Sequence, residues 1–330
     1  MNTWISFLNA AIIQGIPLLY GATGEIITEK SGNLNLGIPG IMYVGGISGI
    51  IGGYIYEHSC RTAGTTPAAA LCILIPFLSC LLGSALMALI YSFLTVTLRA
   101  NQNVTGLALT TFGVGVGNFF GGSLLRFFGE SGSISLLATG TYYKTALPFA
   151  KNLGWVGKLF FSYGFLAYLA IAIAILAGIF LNRSRVGLNL RAVGESPATA
   201  DAVGINVTAY KYWATIVGGM IAGLGGLYFV MDYTGGAWTN NGFGDRGWLA
   251  IAIVIFALWK PIVGILCSLI FGGLYIVCVY VPAPTSVIEL IKMLPYLVTI
   301  IVLVLTSLRK KREDQPPAGL GNAYFRESRG

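Results

Sequence analysis

Charge is what this sequence has least of. Of 330 residues, 12 are acidic and 20 basic, where soluble domains are charged at roughly a quarter of positions. That poverty excludes an ordinary soluble domain. Histidine is nearly absent: His58 stands alone, and the acids are scattered between loops, so a hydrolytic triad or a paired-carboxylate centre is not legible. The five cysteines are Cys60, Cys72, Cys80, Cys267 and Cys278. Four lie in apolar runs and none has metal-ligand spacing, so neither a metal site nor a disulfide framework is expected. A phosphate-binding G-x-x-x-x-G-K-[ST] loop is missing too. GWVGK, Gly154–Lys158, is too short to be one, which excludes ATP binding by that route.

What is present is apolar length. Hydrophobic residues make up 55% of the chain, in recurring runs of about 20, the length a helix needs to cross the hydrocarbon core. The runs are continuous rather than alternating, which argues against a β-barrel. The fold class expected is all-α: a polytopic transmembrane bundle of about 8–10 spans. Spans are expected near Trp4–Ala22, Leu36–Tyr56, Ala70–Leu98, Thr105–Leu125, Leu159–Leu181, Tyr210–Met231, Trp248–Trp259, Val263–Val281 and Ile288–Ser307, the seventh being short. The first run has neither a basic leader nor a small-residue cleavage site and reads as a span.

The net charge of +8 fits the basic bias of cytoplasmic loops, not nucleic-acid binding. The run RKKRED, Arg309–Asp314, places the tail in the cytoplasm, together with loops 182–209 and Arg99–Val104. One region disagrees: Arg126–Lys158, expected outside, holds Arg126, Lys144, Lys151 and Lys158 against Glu130. Nine spans put Met1 outside; an interrupted span near Gly24–Gly40 would change the count. The chain divides into a membrane domain, 1–308, and a polar cytoplasmic tail, 309–330, whose last stretch QPPAGLGNAYFRESRG is expected to be disordered. Small-residue spacings in Gly45–Gly53, Gly113–Gly122 and Gly219–Gly223 suit close helix packing in lipid. Asn103 and Asn206 begin glycosylation patterns, but on the expected cytoplasmic side, and are discounted.

The loop RSRVGLNLRAVGESPATADAVGINV is polar and carefully punctuated. Ser196 suits an N-cap and Pro197 the first helical position. Ala198–Val203 can propagate a helix, and Gly204 can end it in the left-handed region. About two turns outside the bilayer result. Two readings fit: a connecting loop with an incidental helix, or a docking element for a partner. A second polar set, Asn33, Asn35, Asn101, Asn103, Thr105, Thr110, Thr111 and Asn118, lies at or near span ends. Such groups face a solute cavity or cap helices and bond neighbouring backbones. Amides and hydroxyls suit a neutral, hydroxyl-rich solute, and Phe112 and Phe119 offer faces for a base. Glu25 and Glu29 read as interfacial charges beside Lys30. The Gly- and Asn-rich stretch Asp232–Pro261 reads as an outward-facing loop or a partial re-entrant turn.

Three motifs resemble one family. The loop through Gly187, Arg191, Ala192, Gly194, Glu195, Pro197, Ala200, Gly204 and Ile205 is similar to the cytoplasmic loop of ATP-binding-cassette (ABC) importer permeases of the ribose and branched-chain amino-acid type. GATGEIITEKSGNLNLGIPGIMYVGG, including Asn35 and Gly37, and LTVTLRANQNVTGLALTTFGVGVGNF, including Asn101 and Thr111, resemble the nucleoside-type permeases. Pro39 departs from that pattern, standing where many relatives carry an acid.

The resemblance covers Ile16 to about Leu305 and implies a permease subunit in a bacterial cell membrane, most closely a nucleoside importer. Arg191, Gly194, Glu195, Ser196, Pro197, Ala200, Asp201 and Gly204 would couple to the ATPase. Asn33, Asn35, Gly37, Asn101, Asn103, Thr105, Thr111, Phe112 and Asn118 would line the solute path. The implied partners are two ABC ATPase subunits, a second permease of related sequence, an external substrate-binding lipoprotein, a small-molecule substrate and membrane lipid. The chain would bind no cofactor; ATP would be used by the ATPases. Simple sugars and riboflavin are alternative cargoes. An ion-coupled secondary transporter is the rival, with Asp232 and Glu289 as its late-chain candidate acids.

Overall fold

Apolar runs in lipid must satisfy their own backbone, and these do so as helices. A computed structural model describes residues 3–130, 132–146, 148, 154–282, 284–307 and 315–325. The basic run Arg309–Asp314 and Lys151 lie outside them.

The helices are α1 (Thr3–Glu29), α2 (Ile38–Thr62), α3 (Ala69–Ser92, prolonged by a π turn, Phe93–Thr97), α4 (Gln102–Phe127), α5 (Leu137–Tyr143), α6 (Gly154–Phe160), α7 (Phe165–Arg183), α8 (Arg185–Glu195), α9 (Pro197–Ala202), α10 (Val207–Tyr228, prolonged by a π turn, Phe229–Tyr233), α11 (Arg246–Phe256), α12 (Pro261–Tyr280), α13 (Thr285–Lys292) and α14 (Leu294–Ser307). Among the described residues, eight helical stretches are long and apolar enough to span a membrane: α1, α2, α3, α4, α7, α10, α12, and α13 with α14. The fold is an all-α polytopic membrane bundle.

Helices α1, α2 and α10 are buried along much of their length and form the centre; the surrounding helices leave one face open. Glycine makes the centre possible. A Cβ on Gly24 of α1 would meet the Gly218 carbonyl and stand 2.9 Å from the Ala222 nitrogen of α10. A Cβ on Gly113 of α4 would stand 2.7 Å from Gly40 Cα of α2. Backbones this close give the packing that holds helices together where no water is expelled.

The expected seventh span is a half-crossing. The Thr234–Gly236 segment lies at one end, where Leu136 N donates to Gly236 O at 3.0 Å. Arg246 then sits beside Gln14, in the middle of α1, and Trp259 donates to Glu29 at the other end. The 11-residue α11 therefore traverses only the half nearer α9. Its descent is fixed by the Arg246 guanidinium, which donates to Gln14 Oε1 at 3.0 and 3.2 Å and to Phe243 O at 2.8 Å, with Phe229 and Tyr275 rings each 4.7 Å away. The stretch Asp232–Pro261 thus does not stay on one side.

Five other expectations are corrected. The first helix runs on to Glu29 without a break, and the fifth spanning helix starts at Phe165, after the separate α6. Glu25 and Glu29 are not interfacial: both are buried, and no ion pair among the described residues joins them to Lys30. Residues 315–325 are ordered against the bundle. Finally, the loop 182–209 contains an unforeseen helix, α8, opened by Ser184, whose hydroxyl accepts from Gly187 N at 2.9 Å.

Candidate coupling surface and solute pathway

The α8–α9 element follows from local chemistry. Ser196 closes α8 and caps α9, its hydroxyl accepting from Thr199 N at 3.4 Å. Pro197 takes the first helical position, and Gly204 has φ +87°, which ends the helix in the left-handed region that glycine tolerates. The residues singled out from sequence divide by role. Gly194 is buried against the Lys30 carbonyl, where no side chain fits. Arg191 donates to Asn182 Oδ1 at 3.2 Å, bracing α8 on α7. Ala200 is sealed between Val193 and Val207. The outward face is instead Ala198, Thr199, Ala202 and Val203, the last 72% exposed. An amphipathic reading of so short a helix could not have separated the two faces.

The C-terminal segment clasps this element. Gly319 N donates to Gly194 O at 2.9 Å, Ala318 N to Glu195 Oε2 at 3.3 Å, Gly321 N to Gly32 O at 3.3 Å and Tyr324 Oη to Asp201 Oδ2 at 3.1 Å. The Arg99 guanidinium lies 4.6 Å above the Phe325 ring. The tail therefore shares an end with α9 and Arg99, as the charge pattern expects. The adjacent aromatics Tyr324 and Phe325 were the available signal, since disordered segments are poor in aromatics. Truncation before Gln315 should cost α9 about 1–2 kcal/mol of local stability, raising protease cleavage within residues 196–206 about tenfold in a limited-proteolysis time course.

Beneath α9 lies a polar layer. Asn33 Nδ2 donates to Thr215 Oγ1 at 3.1 Å; Asn35 N donates to Glu25 Oε1 at 2.9 Å, and its own Oδ1 accepts from Gly37 N at 2.9 Å. Gly37 is closed in by Asn35 and Leu109. Burial, then the neighbouring Arg191, push the Lys30 ammonium down to about 8. A cation with a lower pKa folded than unfolded costs stability below that value, and the cost lifts as pH climbs through about 8 toward the unfolded value. The thermal midpoint should rise from about pH 7 to about pH 9, and Lys30→Gln should flatten that rise.

The remaining pathway candidates lie along α4. Asn101 caps the helix, accepting from Val104 N at 3.1 Å. Asn103, Thr111 and Phe112 are exposed, and Thr105 is half-buried; Thr111 bonds the Leu107 carbonyl at 3.1 Å. With Phe119 and the open-sided Gly115, these lie along an uncovered face of α4.

Asn118 reaches the other way. Its Oδ1 accepts from Tyr43 Oη at 2.9 Å and its Nδ2 donates to Asn241 Oδ1 at 3.0 Å, while Asn241 N donates to Tyr43 Oη at 2.6 Å. Trp238 meets Tyr43 edge-on, centroids 5.3 Å apart, and donates to Asn240 Oδ1 at 2.9 Å. Asn33, Asn35 and Gly37 are thus together under α9, Asn118 belongs to a separate polar–aromatic cluster, and Asn103, Thr111 and Phe112 face neither. Tyr43, Trp238 and Asn241 were missed because they are remote in sequence from Asn118. Of the rival's acids, Glu289 is an exposed partner of Lys292 at 2.6 Å, and Asp232 lies beside Gly164 at the end away from α9.

The match with known proteins runs from α1 into α14. Residues 7–303 fit the family described as the branched-chain amino acid transport system permease component. The chain is 33% identical to the nucleoside ABC transporter permease protein NupC of Lactococcus lactis, over 92% of this chain and 93% of that one. It is 32% identical, over 82% and 76%, to the Haloferax volcanii protein named "Putative glucose ABC transporter permease protein TsgC13". It is 28% identical, over 89% of each, to the guanosine ABC transporter permease protein NupQ of Bacillus subtilis. With its spanning helices, its bundle centred on α1, α2 and α10, and a family match along nearly its full length, the chain belongs to the branched-chain amino acid-type permease family of ABC transporters and is a multi-pass protein of the plasma membrane.

Proposed function

We propose that this chain is half of the translocation pore of an ATP-driven nucleoside importer. The observation that carries the reading is α9: a capped, two-turn helix held outward on a braced platform, with an exposed apolar tip at Val203. A helix so anchored on one face and bare on the other suits a partner's groove. The α9 end faces the cytosol, and the loop 182–209 is the coupling loop of a membrane domain spanning 1–308. Two ATPase subunits dock there, a second, related permease completes the pore, and an external lipoprotein delivers solute to the opposite end. ATP is consumed by the ATPases. This chain binds no cofactor and moves its solute chemically unchanged.

Within the coupling element, Gly194, Ser196, Pro197, Ala200 and Gly204 set the shape of α9. Arg191, Glu195 and Asp201 tie it to α7 and to the tail. The solute path runs past Asn103, Thr105, Thr111 and Phe112 on the open face of α4 and then leaves that face for the half-buried Asn118 and its cluster; Asn33, Asn35, Gly37 and Asn101 hold the helix ends that frame it.

Nucleoside cargo is supported by the names of two relatives and by the Asn118–Tyr43–Asn241–Trp238 cluster, where amides and a phenol can bond a base or ribose and rings can stack. A sugar is the second reading, supported by the name of the Haloferax relative. Uptake by cells lacking this chain, complemented with wild type or Asn118→Ala and offered labelled nucleosides, pentoses, glucose and riboflavin, tests both. Nucleoside uptake with KM raised about tenfold in Asn118→Ala, the cost of one polar contact to a buried solute, supports the reading. Uptake confined to a sugar or riboflavin overturns the nucleoside assignment.

A further inference from the structure

The start of α10 opens onto a cavity of about 400 Å³ that borders the coupling element at Asp201 and Gly204 but lies apart from its outward face and from the solute path. Arg99, Asp201, Val207, Thr208, Lys211 and Tyr324 contribute to its wall. We propose that this cavity is a binding site for a phosphate-class anion.

Lys211 carries the argument. It is 3% exposed, and its ammonium has no hydrogen bond or ion pair with any described residue. Its stem is buried while its ammonium reaches the cavity without an acceptor among the described residues, so an anion in that cavity would complete its hydrogen bonds. It lies one turn into α10, and helical side chains lean toward the N-terminus of their helix. Lys211 therefore runs back along the first turn toward the cavity that Val207 and Thr208 also line.

Those two residues supply a second set of donors. Asn206 caps the helix by accepting from Ala209 N at 3.0 Å, whereas the amides of Val207 and Thr208 have no acceptor among the described residues. Free first-turn amides and the positive end of the helix dipole favour an anion there. Arg99 adds a guanidinium, presented from a left-handed backbone at φ +56° and held by its stacking on Phe325. Among the described wall residues Asp201 is the one carboxylate, with Tyr324 donating to its Oδ2; against its single negative charge stand the two cations, Arg99 and Lys211, a net positive wall. A phosphate group matches this set, because its oxygens can take an ammonium, a guanidinium and two amides at once.

The phosphate can belong to a soluble ion or to a lipid headgroup, and one experiment separates the sources without reference to transport. Full-length chain in neutral detergent would be titrated with inorganic phosphate by calorimetry. In parallel, native mass spectrometry would count phosphatidylglycerol retained after extraction from vesicles of phosphatidylglycerol and phosphatidylcholine. Wild type, Lys211→Gln and Lys211→Arg would be compared at matched thermal midpoints. The expected result is one bound equivalent on wild type in at least one arm, weakened about tenfold or more in Lys211→Gln and retained in Lys211→Arg. Dependence on Lys211 in the phosphate arm assigns a soluble source, and dependence in the lipid arm alone assigns a headgroup. Absence of binding in both arms, or binding that Lys211→Gln leaves unchanged, overturns the proposal.

Discussion

Gly24→Val is expected to leave little folded protein in the membrane. Its side chain would enter the α1–α10 crossing where the Gly218 carbonyl already touches the position of a Cβ and Ala222 N stands 2.9 Å from it. Both obstacles are backbone, so no rotamer change relieves them. Overpacking of a core costs about 1–3 kcal/mol, and a clash between two central helices belongs at the top of that range or beyond. Gly115→Ala on α4 is the control: nothing lies within 4 Å of its Cβ position and alanine is the better helix former, so its thermal midpoint should equal or slightly exceed that of wild type. Fluorescence-detected size exclusion and a melting curve on both variants check the contrast. A Gly24→Val protein as abundant and as stable as wild type would contradict the crossing.

Val203→Asp should abolish uptake without unfolding the chain. Val203 is 72% exposed beside the end of α9, so a carboxylate there meets water and should change the melting point little. In a docked complex the same carboxylate would be buried without a partner, at a cost of several kcal/mol. Binding to the ATPase should therefore fall by about a hundredfold or more, measured by co-purification and by surface-immobilised titration. Unchanged ATPase binding would show that this face is not the dock.

The contrast between Val203 and Ala200 shows what the sequence could and could not reveal. Helix α9 was legible because its signals are local: a serine cap, a proline at the first position and a glycine at φ +87°. Which side of it faces outward depends on Val193 and Val207, brought to Ala200 by the fold. The spans were legible for the same reason, as runs of apolar residues. Where the polypeptide breaks regularity for a tertiary reason, the local signals reach only part of the way: the short seventh run and a partial re-entrant turn were legible, the contacts that fix them were not. The half-crossing at α11 depends on Arg246 finding Gln14, 232 positions away. The clasp by residues 315–325 depends on Gly32, Gly194 and Asp201, none of which is near the tail in sequence. Glu25 and Glu29 look like surface charges in a list of residues; they are buried, with Asn35 N donating to Glu25 Oε1 and Trp259 Nε1 to Glu29, partners that the fold brings from elsewhere in the chain. Asn118 reads as a polar group near a span end, whereas it lies inside α4 and its partners Tyr43 and Asn241 come from two other parts of the chain.

The buried acids are also what an ion-coupled transporter would require, so the energy source is the point to decide. The direct measurement is solute uptake into proteoliposomes containing this chain with the second permease and ATPase subunits proposed for it, and with the proposed external binding protein added. The account predicts uptake that requires ATP on the α9 side, that solute-loaded binding protein stimulates, and that Val203→Asp eliminates. Uptake by this chain alone, driven by a proton or sodium gradient and indifferent to ATP, would contradict it.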